Sequence, residues 1–238
     1  MTQIVFIKIM NPSENLRRRS DLSPYLFHFT KDNGVRSAKE IIASIVEEMK
    51  LKSNTGYICF TEQPLIMCDE MFQYFGRFPK PMYQPYGIGF KRDVLYRLGA
   101  RNVIYGTPDE KFKIDSSLHW RFLEMDVDRY DFSWLREWRL PGDELDFSSF
   151  RNEDIIVVTP SKDDEDVVFT PDYEVDFDYD SDTKTAMPYT YITGASRAWR
   201  SINFDRVRKK KMSDYMVDAS TFFEQRIGED YEHWIGED

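Results

Sequence analysis

Alternating hydrophobic and polar positions predict a first strand in YLFHFT, the segment that begins at Tyr25. Alternation is typical of a β-strand, because successive side chains point to opposite faces of a sheet. The pattern places Tyr25, Phe27 and Phe29 on one face. His28 and Thr30 fall on the other face, which they share with Leu26.

Apolar residues at helical spacing predict a helix after the turn-like segment KDNG. Ser37 and Glu40 precede and open this helix with the spacing of a capping box, in which each side chain bonds the other residue's backbone amide. The apolar positions then recur every three or four residues: Ile41, Ile42, Ile45, Val46 and Met49.

Short strand and helix patterns continue as far as residue 160 and predict a mixed α and β fold. Further strands are predicted at GYICFT (56–61), YGIGF (86–90), 102–105 and IIVVTP (155–160). Further helices are predicted at 64–75, 91–98 and 118–123. The two glycines of YGIGF indicate that a neighbouring strand or a ligand approaches the backbone closely.

Residues 161–238 are expected to form an extension on a core of residues 1–160. The segment from Lys162 has too little apolar content for a core element, although 167–170 and 173–175 are candidate edge strands. One or two amphipathic helices are expected to pack on the core near the C-terminus. Their apolar positions are Ala198, Trp199, Val207, Met216, Phe222, Phe223, Ile227 and Trp234.

Charge is concentrated in this extension. The net charge is −10, and residues 162–184 hold ten acids and two lysines, which leaves only −2 for the rest of the chain. A basic stretch follows, with Arg197, Arg200, Arg206, Arg208, Lys209, Lys210 and Lys211. Both runs are compatible with solvated surface. The basic run is also compatible with binding to phosphate, to an acidic partner or to the acidic segment of the same chain.

Cysteine usage and hydropathy predict a cytoplasmic protein with no metal and no membrane contact. Cys59 and Cys68 are too few for a disulfide framework and have no zinc-binding spacing, so they are interpreted as reduced thiols. No stretch reaches the roughly 20 apolar residues of a membrane span. The N-terminal residues lack the pattern of a secretory leader.

Three short elements carry candidate chemistry, since the sequence has no Walker loop, dinucleotide-binding glycine fingerprint, HExxH pair or GxSxG elbow. The elements are HFT (28–30), CFTE (59–62) leading to YGIGF, and REWR (136–139). A lone strand histidine is usually structural, and a glutamate between arginines is usually an ion-paired surface group. Taken singly, each element is therefore weak.

Together, these elements resemble the abortive-infection AbiGi-like family of bacterial phage-resistance proteins. The similarity runs from about Ser23 to Pro160, through HFT, GYICFTEQPL, YGIGFKRDVLYRLGARNVIYG and DFSWLREWRLP. The order of histidine, aromatic segment and glutamate also resembles the ADP-ribosyltransferase superfamily, which includes bacterial toxins that modify nucleic acids. The resemblance implies an α+β fold with a split mixed sheet, flanking helices and a helical C-terminal extension.

The transferase resemblance implies NAD as the ADP-ribose donor and Glu137 as the catalytic carboxylate, with His28 beside it. Breaking the bond to nicotinamide passes through an oxocarbenium-like transition state, which a nearby carboxylate stabilises. His28 and Thr30 are expected to hydrogen-bond the adenosine ribose and adjoining groups. The aromatic residues expected to stack on nicotinamide are Tyr57, Phe60 and Tyr86. The arginines expected to bind pyrophosphate are Arg136, Arg139 or Arg92.

The pattern departs from well-known transferases in ways that bear on the acceptor. WLREWRL as a strand places Leu135, Glu137 and Arg139 on one face. There is no clear Ser-Thr-Ser element, and Leu135 stands where some relatives carry the second acid that helps select arginine acceptors. The prediction is therefore a phage-defence toxin that modifies nucleic acid, with protein modification and NAD hydrolysis left open.

Two other hypotheses remain open at this level. In one, the chain is a non-enzymatic, antitoxin-like partner in a two-component abortive-infection system. The acidic segment 162–184 then acts as a partner mimic, and Glu137 is only ion-paired. In the other, the chain is an unrelated hydrolase or structural domain.

Overall fold

The computed structural model describes residues 21–126, 128, 131–169, 173–180, 185–192 and 199–209. The strands are β1 Tyr25–Phe29, β2 Lys50–Lys52, β3 Tyr57–Thr61, β4 Gly87–Lys91, β5 Arg101–Asn102, β6 Ile104–Gly106, β7 Phe122–Glu124, β8 Glu137–Pro141, β9 Glu144–Asp146, β10 Ile155–Thr159, β11 Tyr173–Asp180, β12 Thr185–Ile192 and β13 Arg200–Asn203. The helices are α1 Ala38–Glu48, α2 Leu65–Phe75, α3 Arg92–Arg97, α4 Pro108–Lys111, α5 Lys162–Phe169 and α6 Phe204–Lys209. Short 3₁₀ turns cover Ser116–Arg121, Ser133–Leu135 and Asn152–Asp154.

A seven-stranded mixed sheet organises the fold, in the order β13, β10, β4, β1, β3, β8, β5. Neighbouring strands are antiparallel except β10 and β13, which run parallel. Helices flank this sheet, so the predicted α+β class is confirmed. None of the helices in the described part of the chain has the length and apolar character that crossing a bilayer demands.

The two faces of the sheet bury separate hydrophobic clusters. One cluster joins the sheet to α1 and includes Leu26, Ile42, Ile58, Phe90 and Trp138. The other joins the sheet to α2 and α6 and includes Phe27, Phe29, Phe72, Ile156 and Phe204. The alternation predicted for β1 is therefore confirmed, because Leu26 and Phe27 belong to opposite clusters.

The capping box at the start of α1 is present as predicted. Ser37 Oγ accepts from the Glu40 amide at 3.2 Å, and Glu40 Oε2 accepts from the Ser37 amide at 2.7 Å. This exchange satisfies two backbone donors that the first turn of a helix leaves unpaired. It also holds the pKa of Glu40 below its ordinary value, because hydrogen bonds favour the ionised carboxylate.

The glycines of β4 allow β1 to approach closely, as the sequence indicated. A Cβ built on Gly87 would lie 2.5 Å from the Phe29 ring and 2.7 Å from the His28 carbonyl oxygen. A Cβ on Gly89 would lie 2.6 Å from the Phe27 ring. The close neighbour is thus a strand of the chain itself.

Gly87→Ala is expected to lower the free energy of unfolding by about 2 kcal/mol, since the added methyl meets a backbone oxygen that cannot rotate away. Urea unfolding measures the change. Gly99→Ala is the control, because no atom lies within 4 Å of its added Cβ and only the positive φ of 107° opposes the change. An unchanged free energy of unfolding in Gly87→Ala would contradict the packing explanation.

Two predicted segments between residues 102 and 123 need correction. The strand predicted at 102–105 is divided into β5 and β6 by Val103, whose amide donates to the Glu137 carbonyl oxygen at 3.0 Å. The helix predicted at 118–123 is a 3₁₀ turn that ends at Arg121, and Phe122 begins β7. The last residues of the predicted helix, Phe122 and Leu123, lie in β7 because they pair with β6.

The acidic segment was also predicted wrongly at its start. Residues 167–169, expected in an edge strand, belong to α5. Ser161 Oγ accepts from the Asp164 amide at 3.1 Å, and acids in the first turn suit the positive end of the helix dipole. Glu165 accepts hydrogen bonds from Ser201 and from Asn203, the latter at 2.9 Å, so this acidic turn is docked on β13.

Beyond α5, the chain forms a hairpin of β11 and β12, longer than the predicted strand at 173–175. Trp199 and Val207 were both expected in a helix. Trp199 is instead the residue before β13, whereas Val207 does lie in a helix, α6. Residues 200–203 form a strand because they pair in parallel with β10. Arg208 contacts the buried Asp69 of α2 through its Nε and Nη2, at 2.7–3.1 Å. The other predicted C-terminal apolar positions lie outside the described residues.

Candidate active site

The sheet opens at one place, between β1 and β3. The two strands pair at a single position, Phe27 with Thr61, whereas β1 and β4 pair along five residues. His28 Nδ1 lies 2.9 Å from the Cys59 carbonyl oxygen, where a backbone ladder would otherwise continue. Because a carbonyl oxygen only accepts, Nδ1 carries the hydrogen and Nε2 is left as an acceptor in the neutral ring.

A cavity of about 80 Å³ occupies this opening. It has room for roughly five to eight water molecules. The residues that line it are Phe27, His28, Phe29, Cys59, Phe60, Thr61, Met71, Tyr83, Leu135 and Glu137. His28 and Glu137, which are far apart in sequence, therefore face the same space.

Glu137 reaches the cavity from the start of β8. Its Oε1 accepts from Arg139 Nε at 2.7 Å, and its amide donates to the Tyr105 hydroxyl oxygen at 3.2 Å. The Glu137 side chain is 13% exposed and that of Arg139 is 6% exposed. A carboxylate has about four acceptor positions, so one ion pair leaves acceptor capacity for a ligand in the cavity.

Arg139 is held on several sides. Its Nη1 donates to the carbonyl oxygens of Trp120 at 2.8 Å and Phe122 at 3.1 Å, and its guanidinium lies 4.3 Å from the centre of the Tyr57 ring. Burial opposes the charge, but the bond to Glu137 outweighs it and raises the pKa of Arg139. This arginine therefore fixes the position of the Glu137 carboxylate.

The other titratable groups of the cavity are neutral at pH 7. Surrounding protein atoms and the nearby Glu137 carboxylate raise the pKa of Cys59 to about 12 and that of Tyr83 to about 12. Burial lowers the pKa of His28, and its bond to the Cys59 carbonyl only partly opposes this. The thiol, phenol and imidazole are thus available as neutral hydrogen-bonding groups.

Folding should weaken as pH falls below about 6.5, because the unfolded chain then protonates His28 while the folded chain resists protonation. The lowered pKa thus contributes stability above 6.5 that is lost with acid, with a slope of at most about 1.4 kcal/mol per pH unit. Urea unfolding between pH 5.5 and 7.5 measures this slope, which His28→Gln should reduce. Equal slopes in the two proteins would contradict the assignment.

The remaining predicted site residues are separated by the fold. Phe60 lines the cavity, and Tyr57 lies against Arg139. Tyr86 does not line it, because its hydroxyl donates to Asp164 at 3.0 Å and its ring packs on the α1 side of the sheet. Thr30 Oγ1 lies within 3.1 Å of two backbone carbonyl oxygens, those of Ala38 and Tyr86.

The predicted phosphate-binding arginines are ion-paired with carboxylates. Arg139 contacts Glu137, Arg136 contacts Asp21 at 3.0 Å, and Arg92 lies 2.9 Å from a Glu62 carboxylate oxygen.

The prediction of one strand through WLREWRL needs correction. Trp134 and Leu135 lie in a 3₁₀ turn, and Arg136 has a positive φ of 47°, so the strand begins only at Glu137. Glu137 and Arg139 do share a face, as their ion pair shows.

Sequence reasoning gave no site role to seven of the lining residues, which are Phe27, Phe29, Cys59, Thr61, Met71, Tyr83 and Leu135. Alternation in GYICFT places Cys59 and Thr61 on one face, which gives a signal for Cys59. Tyr83 lies in a connection without a periodic pattern, so only the tertiary structure brings it to the cavity.

Comparison with known proteins found no match: no family model, no curated protein and no solved structure resembled the chain significantly. Within the described residues, no group of three or more histidine, cysteine or acidic side chains is placed to hold a metal ion.

Proposed function

We propose that the chain is an NAD-dependent ADP-ribosyltransferase whose reaction takes place in the cavity between β1 and β3. The observation that carries this proposal is that His28 and Glu137 line one cavity with aromatic walls, at the single place where the central sheet opens. The finer fold assignment, a split transferase-like sheet, is part of the same proposal. Support for it comes from the one-position pairing of β1 with β3.

The reaction replaces one bond to the ribose anomeric carbon with another. The bond to the nicotinamide nitrogen breaks and its electron pair leaves with nicotinamide. An acceptor nucleophile forms the new bond to the same carbon and gives up a proton. Positive charge develops on the ribose between these events, so a fixed carboxylate nearby lowers the barrier.

The cavity residues suit distinct parts of this task. Glu137, held by Arg139, supplies the negative charge and can accept from a ribose hydroxyl. His28 Nε2 is an acceptor for a second hydroxyl. Phe27, Phe29 and Phe60 form apolar walls for a flat ring. The volume of about 80 Å³ is too small to enclose the whole dinucleotide, so most of the donor would lie outside the cavity.

The test is to incubate the purified chain with NAD labelled in its adenylate portion and with bacterial lysate separated into protein, RNA and DNA. We expect nicotinamide release together with label in the RNA or DNA fraction. A chain that neither binds NAD nor releases nicotinamide, even after a copurifying partner is removed, would overturn the proposal.

For the biological role, we propose a phage-defence toxin that an antitoxin partner restrains. Expression of the chain alone should then reduce bacterial colony counts, and expression of Glu137→Gln should not. Equal toxicity of both chains would show that growth inhibition does not depend on the proposed chemistry.

A second candidate is a non-enzymatic, antitoxin-like protein. The favouring observation is the buried ion pair between Glu137 and Arg139, in which the carboxylate already has a structural partner. Under this alternative, the chain binds a partner protein and releases no nicotinamide even when NAD is bound. Assaying NAD binding and nicotinamide release on one preparation separates the two candidates.

A further inference from the structure

Three aromatic rings lie exposed beside the cavity and form what we call the aromatic platform: Tyr74, Phe78 and Trp134. They are 52%, 49% and 38% exposed, respectively. Water contact with large rings is unfavourable, so a cluster of exposed rings on a protein surface usually marks a binding site.

The platform is continuous with the cavity through Phe75. The ring of Phe75 lies 5.3 Å from Tyr74, 6.4 Å from Phe78 and 6.1 Å from Trp134, measured between ring centres. It also lies 5.6 Å from Tyr83, which lines the cavity. The platform therefore lies one ring contact away from the wall of the cavity.

Positive charge borders the platform in an otherwise acidic protein. Residues 71–92 contain Arg77, Lys80, Lys91 and Arg92 and no acid, although the net charge of the chain is −10. Lys91 and Arg92 are ion-paired with Asp154 and Glu62, so Arg77 and Lys80 are the cations that remain for a ligand. The guanidinium carbon of Arg77 lies 5.9 Å from the centre of the Tyr74 ring. Among the described residues, no carboxylate lies within ion-pair distance of Arg77 or Lys80, and both side chains are exposed.

We propose that the aromatic platform binds single-stranded nucleic acid and presents it to the cavity as the acceptor. Exposed rings stack on base faces, and neighbouring cations contact the phosphates. A duplex hides its base faces, which is why the rings favour a single strand. The acceptor role rests on the proposed transferase function, whereas binding of the strand does not depend on it.

The binding test uses fluorescence anisotropy of the full-length chain with a fluorescein-labelled 12-nucleotide DNA and an RNA of the same sequence. A Tyr74→Ala, Phe78→Ala double variant should weaken binding about 10- to 100-fold, because stacking on each ring contributes measurably to affinity. Arg77→Gln with Lys80→Gln should reduce the slope of log affinity against log salt by about 1.4. All four side chains are exposed, so folding is expected to survive.

The matched control is Tyr96→Ala on α3. This tyrosine is also 52% exposed and also lies beneath an arginine, with Arg101 at 4.1 Å from its ring centre, but it does not belong to the platform. Binding by Tyr96→Ala should equal that of the wild type. The proposal is overturned if the wild type binds neither oligonucleotide, if the platform variants bind as well as the wild type, or if duplex binds as tightly as single strand.

A separate readout distinguishes failure of this inference from failure of the proposed function. Nicotinamide release without an oligonucleotide should be the same in the platform variants and the wild type. If that release is normal while label goes to protein and the oligonucleotides do not bind, the transferase proposal stands and the platform proposal fails. If oligonucleotides bind through the platform but no nicotinamide is released, the transferase proposal and the acceptor role both fail, and binding of the single strand by the platform stands.

Discussion

Glu137→Gln is expected to lower the rate of nicotinamide release about 10²- to 10³-fold while the affinity for NAD changes little. The carboxylate stabilises charge that develops only in the transition state, so its loss should affect turnover far more than binding of the ground state. Steady-state rates and equilibrium binding of labelled NAD, measured on the same preparations, give the two quantities.

Glu137→Gln is also expected to lower the stability of the protein, although glutamine has nearly the same shape as glutamate. Glu137 is paired with the buried Arg139, and glutamine would leave that guanidinium without its counter-charge. Rates must therefore be measured well below the melting temperature of the variant. Asp154→Asn is the matched control, because Asp154 is also buried and ion-paired, with Lys91 and Arg151, but does not line the cavity.

The control should lose stability and keep its activity. A Glu137→Gln protein that is folded, binds NAD and turns over at the wild-type rate would show that Glu137 is not the catalytic carboxylate. Equal losses of rate in Asp154→Asn and Glu137→Gln would instead indicate that general destabilisation explains the effect.

Arg139→Met should lower the free energy of unfolding by about 3–5 kcal/mol, the usual loss when one partner of a buried ion pair is removed. Methionine approximates the shape of the arginine stem but leaves Glu137 without its partner and deprives the Trp120 and Phe122 carbonyl oxygens of a donor. Arg139→Lys should recover only part of the loss, since an ammonium cannot reproduce the planar fork of the guanidinium.

The neighbouring Arg136→Met is the control for the loss of an arginine. Arg136 pairs with Asp21 at the surface, where both side chains are at least one third exposed, so the change should be below about 1 kcal/mol. Urea unfolding of all three variants measures the differences. Losses of similar size at Arg136 and Arg139 would contradict the structural role assigned to the Glu137–Arg139 pair.

Local sequence patterns determined much of the central sheet and the helix beside it. Alternation in YLFHFT placed Phe27 and Phe29 on one face, and the Ser37–Glu40 spacing located the start of α1. Such features depend on neighbouring residues and on the fixed periods of strands and helices, so a single sequence contains them. The same periodicity put Glu137 and Arg139 side by side.

Sequence could also nominate His28 and Glu137, but it could not show what surrounds them. Tyr86 does not join them, because its hydroxyl donates to Asp164. Asp164 lies in α5, and part of this helix was predicted as a strand. The cavity exists because β1 and β3 pair at one position only, and strand separation depends on contacts between distant segments.

The aromatic platform has the same origin. Tyr74 and Phe78 lie in one segment, but Trp134 joins them only through its packing against Phe75. Hydrophobic pattern specifies which side chains avoid water, whereas the docking of elements decides which of them remain exposed together. The sequence alone therefore determined α1, several strands of the central sheet and the candidate carboxylate, and the tertiary structure decided the cavity and the surface beside it.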